Sequence, residues 1–225
     1  MKHRLVVHDL GKQPYLRVLE LQRSLARGRI AGELEDDLLL LVEHEPVVTL
    51  GRGTRPQNIP LGAPALARKG VEVHEVERGG DVTFHGPGQL VGYPILDLRR
   101  HRADLHWYLR SLETLLIAGL DTLGITAGTN PGFTGVWTRG RKIASIGIHV
   151  KQWITYHGFA LNVSTDLTYF DLIVPCGIRD VVMTSVAMES GRTDSALWTD
   201  TRQAVTEAFA EVFSLEVIQA EPVLH

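Results

Sequence analysis

The run Arg78-Gly79-Gly80-Asp81-Val82-Thr83-Phe84-His85-Gly86-Pro87-Gly88-Gln89-Leu90 narrows the folds open to this chain more than any other segment. Four glycines, a proline and a histidine fall within thirteen residues. A helix is excluded, because glycine is costly inside one and proline lacks the amide donor. Apolar, strand-like runs lie on both sides: Val71, Val73 and Val76 before it, residues 90–98 after it. A glycine backbone has no Cβ and can approach a ligand closely. Arg78, Asp81 and His85 stand at turn positions, where function concentrates.

The rest of the chain reads as follows. Leu5-Val6-Val7 is a first short strand. Pro14 opens a helix whose apolar face is Tyr15, Val18, Leu19, Gln22 and Ala26, with stop signals at Gly28 and Gly32. Leu38 to Val42 is short and apolar enough for a buried strand; Glu43-His44-Glu45-Pro46 interrupts it and Val47 to Leu50 resumes it. Residues 54–70 form a proline-rich loop with one helical turn near Ala65. Asp104 caps an amphipathic helix carrying Leu105, Tyr108, Leu109, Leu112, Leu115, Leu116 and Leu120, stopped near Gly124. Residues 135–138 and 142–150 flank Arg139-Gly140-Arg141, a hairpin signal, and Trp153 to Val163 gives a further strand. A short helix is expected over Val181 to Met188. Asp200 with Gln203 resembles a capping box for a last helix, before a final strand over residues 215–218.

Strands follow one another without helices between them from 38 to 98 and from 134 to 163. That is not the βαβ alternation of a doubly wound fold. The expectation is a single α/β (α+β) domain over residues 1–225, with a mixed, mostly antiparallel sheet flanked by helices. At 44% hydrophobic and 22% charged residues, 225 residues can bury a sizeable core. A net charge of −3 and a pI near 6.4 give no sign of a nucleic-acid-binding surface. No apolar run is long enough to span a membrane, and Met1 to Leu5 lacks the apolar core of a signal peptide. One cysteine allows no intrachain disulfide, and a cytoplasmic protein is expected.

That cysteine, Cys176, lies in the turn Pro175-Cys176-Gly177, which leaves its approach open. A free thiol titrates at about 8.5 and only the thiolate attacks, so a nucleophilic role needs a nearby base or cation. His85, His149 and His157 are candidates. So is Lys142: strand alternation over residues 142–145 places Lys142 and Ala144 on one face. Burial disfavours the charged form of a lysine and suits it to act as a base. Other chemistries lack their motifs: there is no phosphate loop, no G-x-G-x-x-G after a strand, no H-E-x-x-H and no G-x-S-x-G elbow. One thiol cannot build a thiolate zinc site.

Taken together, five blocks resemble the lipoyl(octanoyl) transferase family. They are Glu43 to Val47 with Thr49 to Gly53; Arg78 to Pro94; Gly135-Val136-Trp137 with Arg141 to Gly147; Tyr156 to Asn162; and Pro175-Cys176-Gly177 followed by Thr184-Ser185. They occur in the family's order, within a motif-bearing core from about residue 33 to residue 213. The resemblance implies a fold like the catalytic domain of biotin and lipoate protein ligases. It implies transfer of an octanoyl group from octanoyl-acyl carrier protein to a lysine of lipoyl domains, in 2-oxoacid dehydrogenases and the glycine cleavage H protein, as the first step of endogenous protein lipoylation.

By the same resemblance Cys176 is the nucleophile and Lys142 its acid/base partner. The substrate pocket is formed by Arg78, Gly79, Gly80, Asp81, Val82, Thr83, Phe84 and His85, by Ser145, Ile146 and Gly147, and by Gly158, Phe159 and Ala160. His85 is the residue of the glycine-rich stretch expected to reach the reacting pair. No cofactor, ATP or metal is implied, and a monomer is expected. Arg52, Arg55, Arg99, Arg100 and Arg102 are the cations available to an acidic carrier. Three other readings stay open: an ATP-dependent lipoate- or biotin-type ligase, which needs no thiol; a cysteine acyl hydrolase using Cys176 with His85 or His157; and a catalytically silent acyl-binding module, for which Cys176 is dispensable.

Overall fold

The computed structural model describes residues 3–178 and 180–220. Its strands are β1 (His3–Gln13), β2 (Asp37–His44), β3 (Val47–Leu50), β4 (Glu72–Glu75), β5 (Val82–His85), β6 (Gln89–Ile95), β7 (Gly128–Asn130), β8 (Phe133–Thr138), β9 (Arg141–Lys151), β10 (Ile154–Asn162) and β11 (Leu215–Ala220). The α-helices are α1 (Tyr15–Ala31), α2 (Ala63–Arg68), α3 (Leu105–Thr122), α4 (Val186–Ser190) and α5 (Leu197–Phe213). Among the described residues, no helix is long and apolar enough to cross a membrane.

Eight strands form one sheet in the order β11-β1-β2-β6-β10-β9-β8-β7, and three form a second in the order β4-β3-β5. In the large sheet β1 runs parallel to β11 and β2, and the remaining pairs are antiparallel. The continuous apolar run of β2 is explained by burial on both faces. Leu39 and Leu41 join the core under α3 and α5, whereas Leu40 and Val42 pack with Val18 of α1.

The two sheets share one antiparallel ribbon. β2 pairs with β6 in the large sheet, and their continuations β3 and β5 pair in the small one. Residues 43–46 carry one strand across, and Gly86-Pro87-Gly88 carries the other. These segments read as interruptions in the sequence because both strands change sheets there. A separate core holds the small sheet together, with Val48, Val82 and Phe84 packed against Phe170 and Ile173.

Several expectations need correcting. The first strand runs for 11 residues rather than three. Gly28 lies inside α1, which is closed by Gly32 in the left-handed conformation (φ 77°). The expected helix from Val181 forms only from Val186, because Met183 is bridged to Lys142 in the extended conformation. α5 begins at Leu197, so Asp200 sits inside its first turn and accepts from Arg192 at 2.7 Å instead of capping the helix. Alternation also fails after Lys142. The β8–β9 register shifts there, and Ile143 and Ala144 both enter the core under α3 and α5. A bulge of this kind re-aims a side chain, and here it separates Lys142 from Ala144.

Candidate active site

A cavity of about 240 Å³ opens between the α1 side of the large sheet and strand β5. Arg78, Gly80, Asp81, Thr83 and His85 line it from the small-sheet side. Ser145, Ile146 and Gly147 of β9 and Gly158, Phe159 and Ala160 of β10 line it from the large sheet. Cys176 and Lys142 stand in the same wall. Gly79, Val82 and Phe84 are not part of it. The Gly79 amide is spent on the Ile148 carbonyl at 2.8 Å, and Val82 and Phe84 point into the small-sheet core. Strand alternation accounts for this: Asp81, Thr83 and His85 face the cavity and the two apolar residues face away.

Lys142 is 1% exposed, and its amine donates to Cys176 Sγ at 3.2 Å and to the Thr134 carbonyl at 3.2 Å. The same amine lies 4.8 Å from the centre of the Trp137 ring, a cation–π distance. The lysine stem fits because residue 135 is glycine. A Cβ there would come within 2.9 Å of Lys142 Cε, and the backbone sits at φ 131°. Ser145 Oγ lies 3.9 Å from the sulfur.

Cys176 itself has φ 55° and ψ 19°, a left-handed conformation that costs a non-glycine residue about 1–3 kcal/mol. Contacts from the small-sheet side hold it there. Asp81 accepts from Asn58 Nδ2 at 2.6 Å and from the Val82 amide at 2.7 Å, and the Val174 amide donates to the Asn58 carbonyl at 2.9 Å. A Cβ on Gly177 (φ 67°) would lie 2.5 Å from that same Asp81 carboxylate.

Arg78 is buried and gathers the glycine-rich turn around itself. Its guanidinium donates to the carbonyls of Gly79, Asp81 and Thr49 and to Thr49 Oγ1. Burial pushes its pKa down from the ordinary arginine value. His85 is also buried, with its pKa lowered to about 3, first by desolvation and then by His44. Its ring nitrogens meet Gln89 Oε1 at 2.8 Å and Thr49 Oγ1 at 3.4 Å, so His85 lines the cavity while its hydrogen bonds run away from the sulfur. Burial likewise lowers His157.

Tyr15, Val91, Tyr93, Phe133 and Thr134, for which the sequence raised no site expectation, also line the cavity, as does His157, a candidate base. Val91, Tyr93 and His157 stood inside recognised blocks, which was the available signal. Thr134 acts through its carbonyl, and no residue type announces that. Of the five arginines set aside for an acidic partner, Arg99 pairs with Asp97, Arg102 with Asp104, and Arg100 donates to the Glu35 carbonyl.

A lone thiol hydrogen-bonded to a buried lysine stands at the wall of a partly open cavity between two joined sheets, an arrangement chemically able to carry an acyl group. A family model described as the lipoyl protein ligase A/B catalytic domain matches residues 14–213, and the chain belongs to that family. Among curated proteins it is similar to an octanoyltransferase of Nostoc punctiforme, 48% identical over 218 residues that make up 96% of this chain and 92% of that one. Among solved structures it resembles a bi-partite lipoate protein ligase of Thermoplasma acidophilum. The TM-score is 0.71 at 17% identity, over 98% of this chain and 87% of the other. A biotin protein ligase of Aquifex aeolicus is more distant, with a TM-score of 0.51 at 12% identity over 95% of this chain and 70% of that one. The fold is therefore the one expected from the sequence.

Proposed function

We propose that this chain moves an octanoyl group from a carrier-bound thioester to a lysine amine of a lipoyl domain, through an acyl thioester on Cys176. The observation that carries this reading is the 3.2 Å contact between Lys142 Nζ and Cys176 Sγ at the wall of the cavity.

The steps follow from the geometry. Lys142 takes the thiol proton, and the Cys176 sulfur attacks the thioester carbonyl. The resulting ammonium is matched by the Thr134 carbonyl and the Trp137 face. Collapse of the tetrahedral adduct breaks the bond to the carrier sulfur, which leaves with a proton from Lys142. One thioester has replaced another at little net cost. The acceptor amine then attacks the Cys176 thioester and gives up a proton to Lys142, and the thiol is restored. An amide is more stable than a thioester, so the second step runs downhill and needs no nucleotide. Splitting the transfer in this way is covalent catalysis.

The octanoyl chain supplies binding energy by leaving water, at ~0.8 kcal/mol per CH₂. Ile146, Gly158 and Phe159 give it an apolar wall. With the acyl chain filling the cavity, water is also kept from the acyl-enzyme. Against a Cys–His hydrolase stands the partner of the sulfur, which is an amine, whereas His85 is engaged by Thr49 and Gln89. The acyl donor is an acyl carrier protein and the acceptors are lipoyl domains such as those of 2-oxoacid dehydrogenases.

Incubation with octanoyl carrier protein is expected to add one octanoyl group to the wild-type chain by intact mass, without ATP, and none to Cys176→Ala. Full transfer by Cys176→Ala would remove the covalent route, and a strict need for ATP would favour the ligase reading.

A further inference from the structure

β10 ends at Asn162, and its last pair with β9 joins Leu161 to Ala144, so it stops short of Lys142. The vacated position beside β9 is filled by residues 182–184. The Lys142 amide donates to the Val182 carbonyl at 2.8 Å, and the Thr184 amide donates to the Lys142 carbonyl at 2.9 Å. This segment begins at residue 182, shortly after the Cys176 turn at 175–177, and ties that part of the chain to the backbone of Lys142.

One side chain completes the junction. Asn162 Nδ2 donates to the Thr184 carbonyl at 3.0 Å, and Asn162 Oδ1 accepts from Gln89 Nε2 at 2.9 Å. Gln89 Nε2 also reaches the Phe84 carbonyl at 3.2 Å. Both partners of that nitrogen are acceptors, so Gln89 Oε1 must take its hydrogen bond from His85, which fixes the proton on His85 Nδ1. His85 Nε2 is then left to accept from the Thr49 hydroxyl, which itself accepts from Arg78. A buried one-way line of donors thus runs from Arg78 on the cavity wall through Thr49, His85, Gln89 and Asn162 to the backbone bonded to Lys142. At its end the Thr184 hydroxyl donates to Glu189 at 2.5 Å, and Glu189 pairs with Arg141, the neighbour of Lys142, at 2.8 Å.

We propose that Asn162 is a positioning residue that keeps the Cys176–Lys142 pair at reacting distance by pinning the Thr184 carbonyl to the end of β10. The proposal rests on the thioester reading above. Asn162 is 1% exposed and is not among the residues lining the cavity, so it acts through the pair and not on the acyl chain. Removing it takes away the side-chain donor to the Thr184 carbonyl and one of the two acceptors of Gln89 Nε2, and buried polar groups that lose partners force local rearrangement.

The test uses Asn162→Ala, Asn162→Ser and the isosteric Asn162→Asp, which cannot donate to Thr184 when ionised. Acylation by octanoyl carrier protein and alkylation of Cys176 by iodoacetamide are followed across pH. A loss in kcat on the order of 10–100-fold is expected, as for small misplacements of reacting groups. KM is expected to stay within about threefold, since substrate contacts are untouched. The alkylation profile should move toward that of Lys142→Met. In the Lys142→Met background the Asn162 substitutions should add little, because they act through the missing amine. Multiplicative losses in that background, a wild-type alkylation profile in a folded variant, or failure of all three variants to fold would overturn the proposal. If Cys176→Ala still transfers, the thioester reading has failed first, and that outcome is read without any Asn162 variant.

Discussion

The two residues of the proposed reacting pair are held in opposite ways. Lys142 sits in an 11-residue strand, bonded through its backbone to residues 182–184 and facing Trp137 across the ladder. Its position is set by the sheet and by the bulge beside it. Cys176 sits in a three-residue turn, in a left-handed conformation that no sheet or helix imposes. It is held by Asn58, Asp81 and a glycine that leaves them room. The proposed base is therefore part of the scaffold, and the proposed nucleophile is strained against it. Damage to the first should remove chemistry and spare the fold. Damage to the second should spoil geometry and spare the chemical groups.

The strongest way to break this comparison is Lys142→Met, which keeps an apolar stem of similar reach and deletes the amine. Single-turnover acylation is expected to fall on the order of 10²–10⁴-fold, the usual range for losing a general acid–base. The melting curve should stay cooperative. A rate within error of wild type would return Lys142 to the role of a structural cation.

Gly177→Ala comes next. The new Cβ would lie 2.5 Å from Asp81 Oδ2 and 3.2 Å from Asn58 Nδ2, at a backbone φ of 67°. The Asn58–Asp81 bond has to break or the turn has to move. An acylation loss on the order of 10–100-fold is expected from such a displacement. Mild iodoacetamide should still modify the thiol, which separates misplacement from unfolding. Wild-type acylation in this variant would mean that the turn is not fixed by Asp81 and Asn58.

Much of this was legible from residue types. The Asp104 cap was read correctly, its carboxylate accepting from the Trp107 amide at 3.0 Å. So was the hairpin at Arg139-Gly140, where two successive positive φ values of 49° and 76° make a turn suited to two paired strands. The family resemblance makes the block 78–85 one wall, whereas its own alternation of Asp81, Thr83 and His85 with Val82 and Phe84 separates cavity from core. Other features left no mark. The bulge after Lys142 depends on how β8 and β9 meet, and the Thr134 carbonyl is a backbone group. The transfer of a ribbon from one sheet to another looks, in one dimension, like any Gly/Pro interruption. Local rules read elements and faces; the meeting of distant backbones is set by tertiary packing.

The gentlest effect tests the wall itself. His85 and His44 are buried, with pKa values lowered from 6.5 to about 3 and about 4, by desolvation above all. For both, the folded state binds a proton more weakly than the unfolded chain. Between pH 6.5 and about 4 the unfolded chain therefore holds more protons, and stability falls as pH falls. The slope is up to about 1.4 kcal/mol per pH unit for each histidine that stays neutral. Glu77 is held low by His157 and then by Arg23, and its contribution starts to be lost only as pH falls into the ordinary carboxylate range and continues below it. The window from pH 6.5 to 5 thus isolates the histidines. Melting temperature should fall steadily across it, and His44→Gln, which keeps a polar group facing Tyr93 but cannot take a proton, should flatten the slope. A melting temperature that does not change from pH 7 to 5 would mean that these imidazoles accept protons in the folded protein, and that the cavity wall is far wetter than its packing implies.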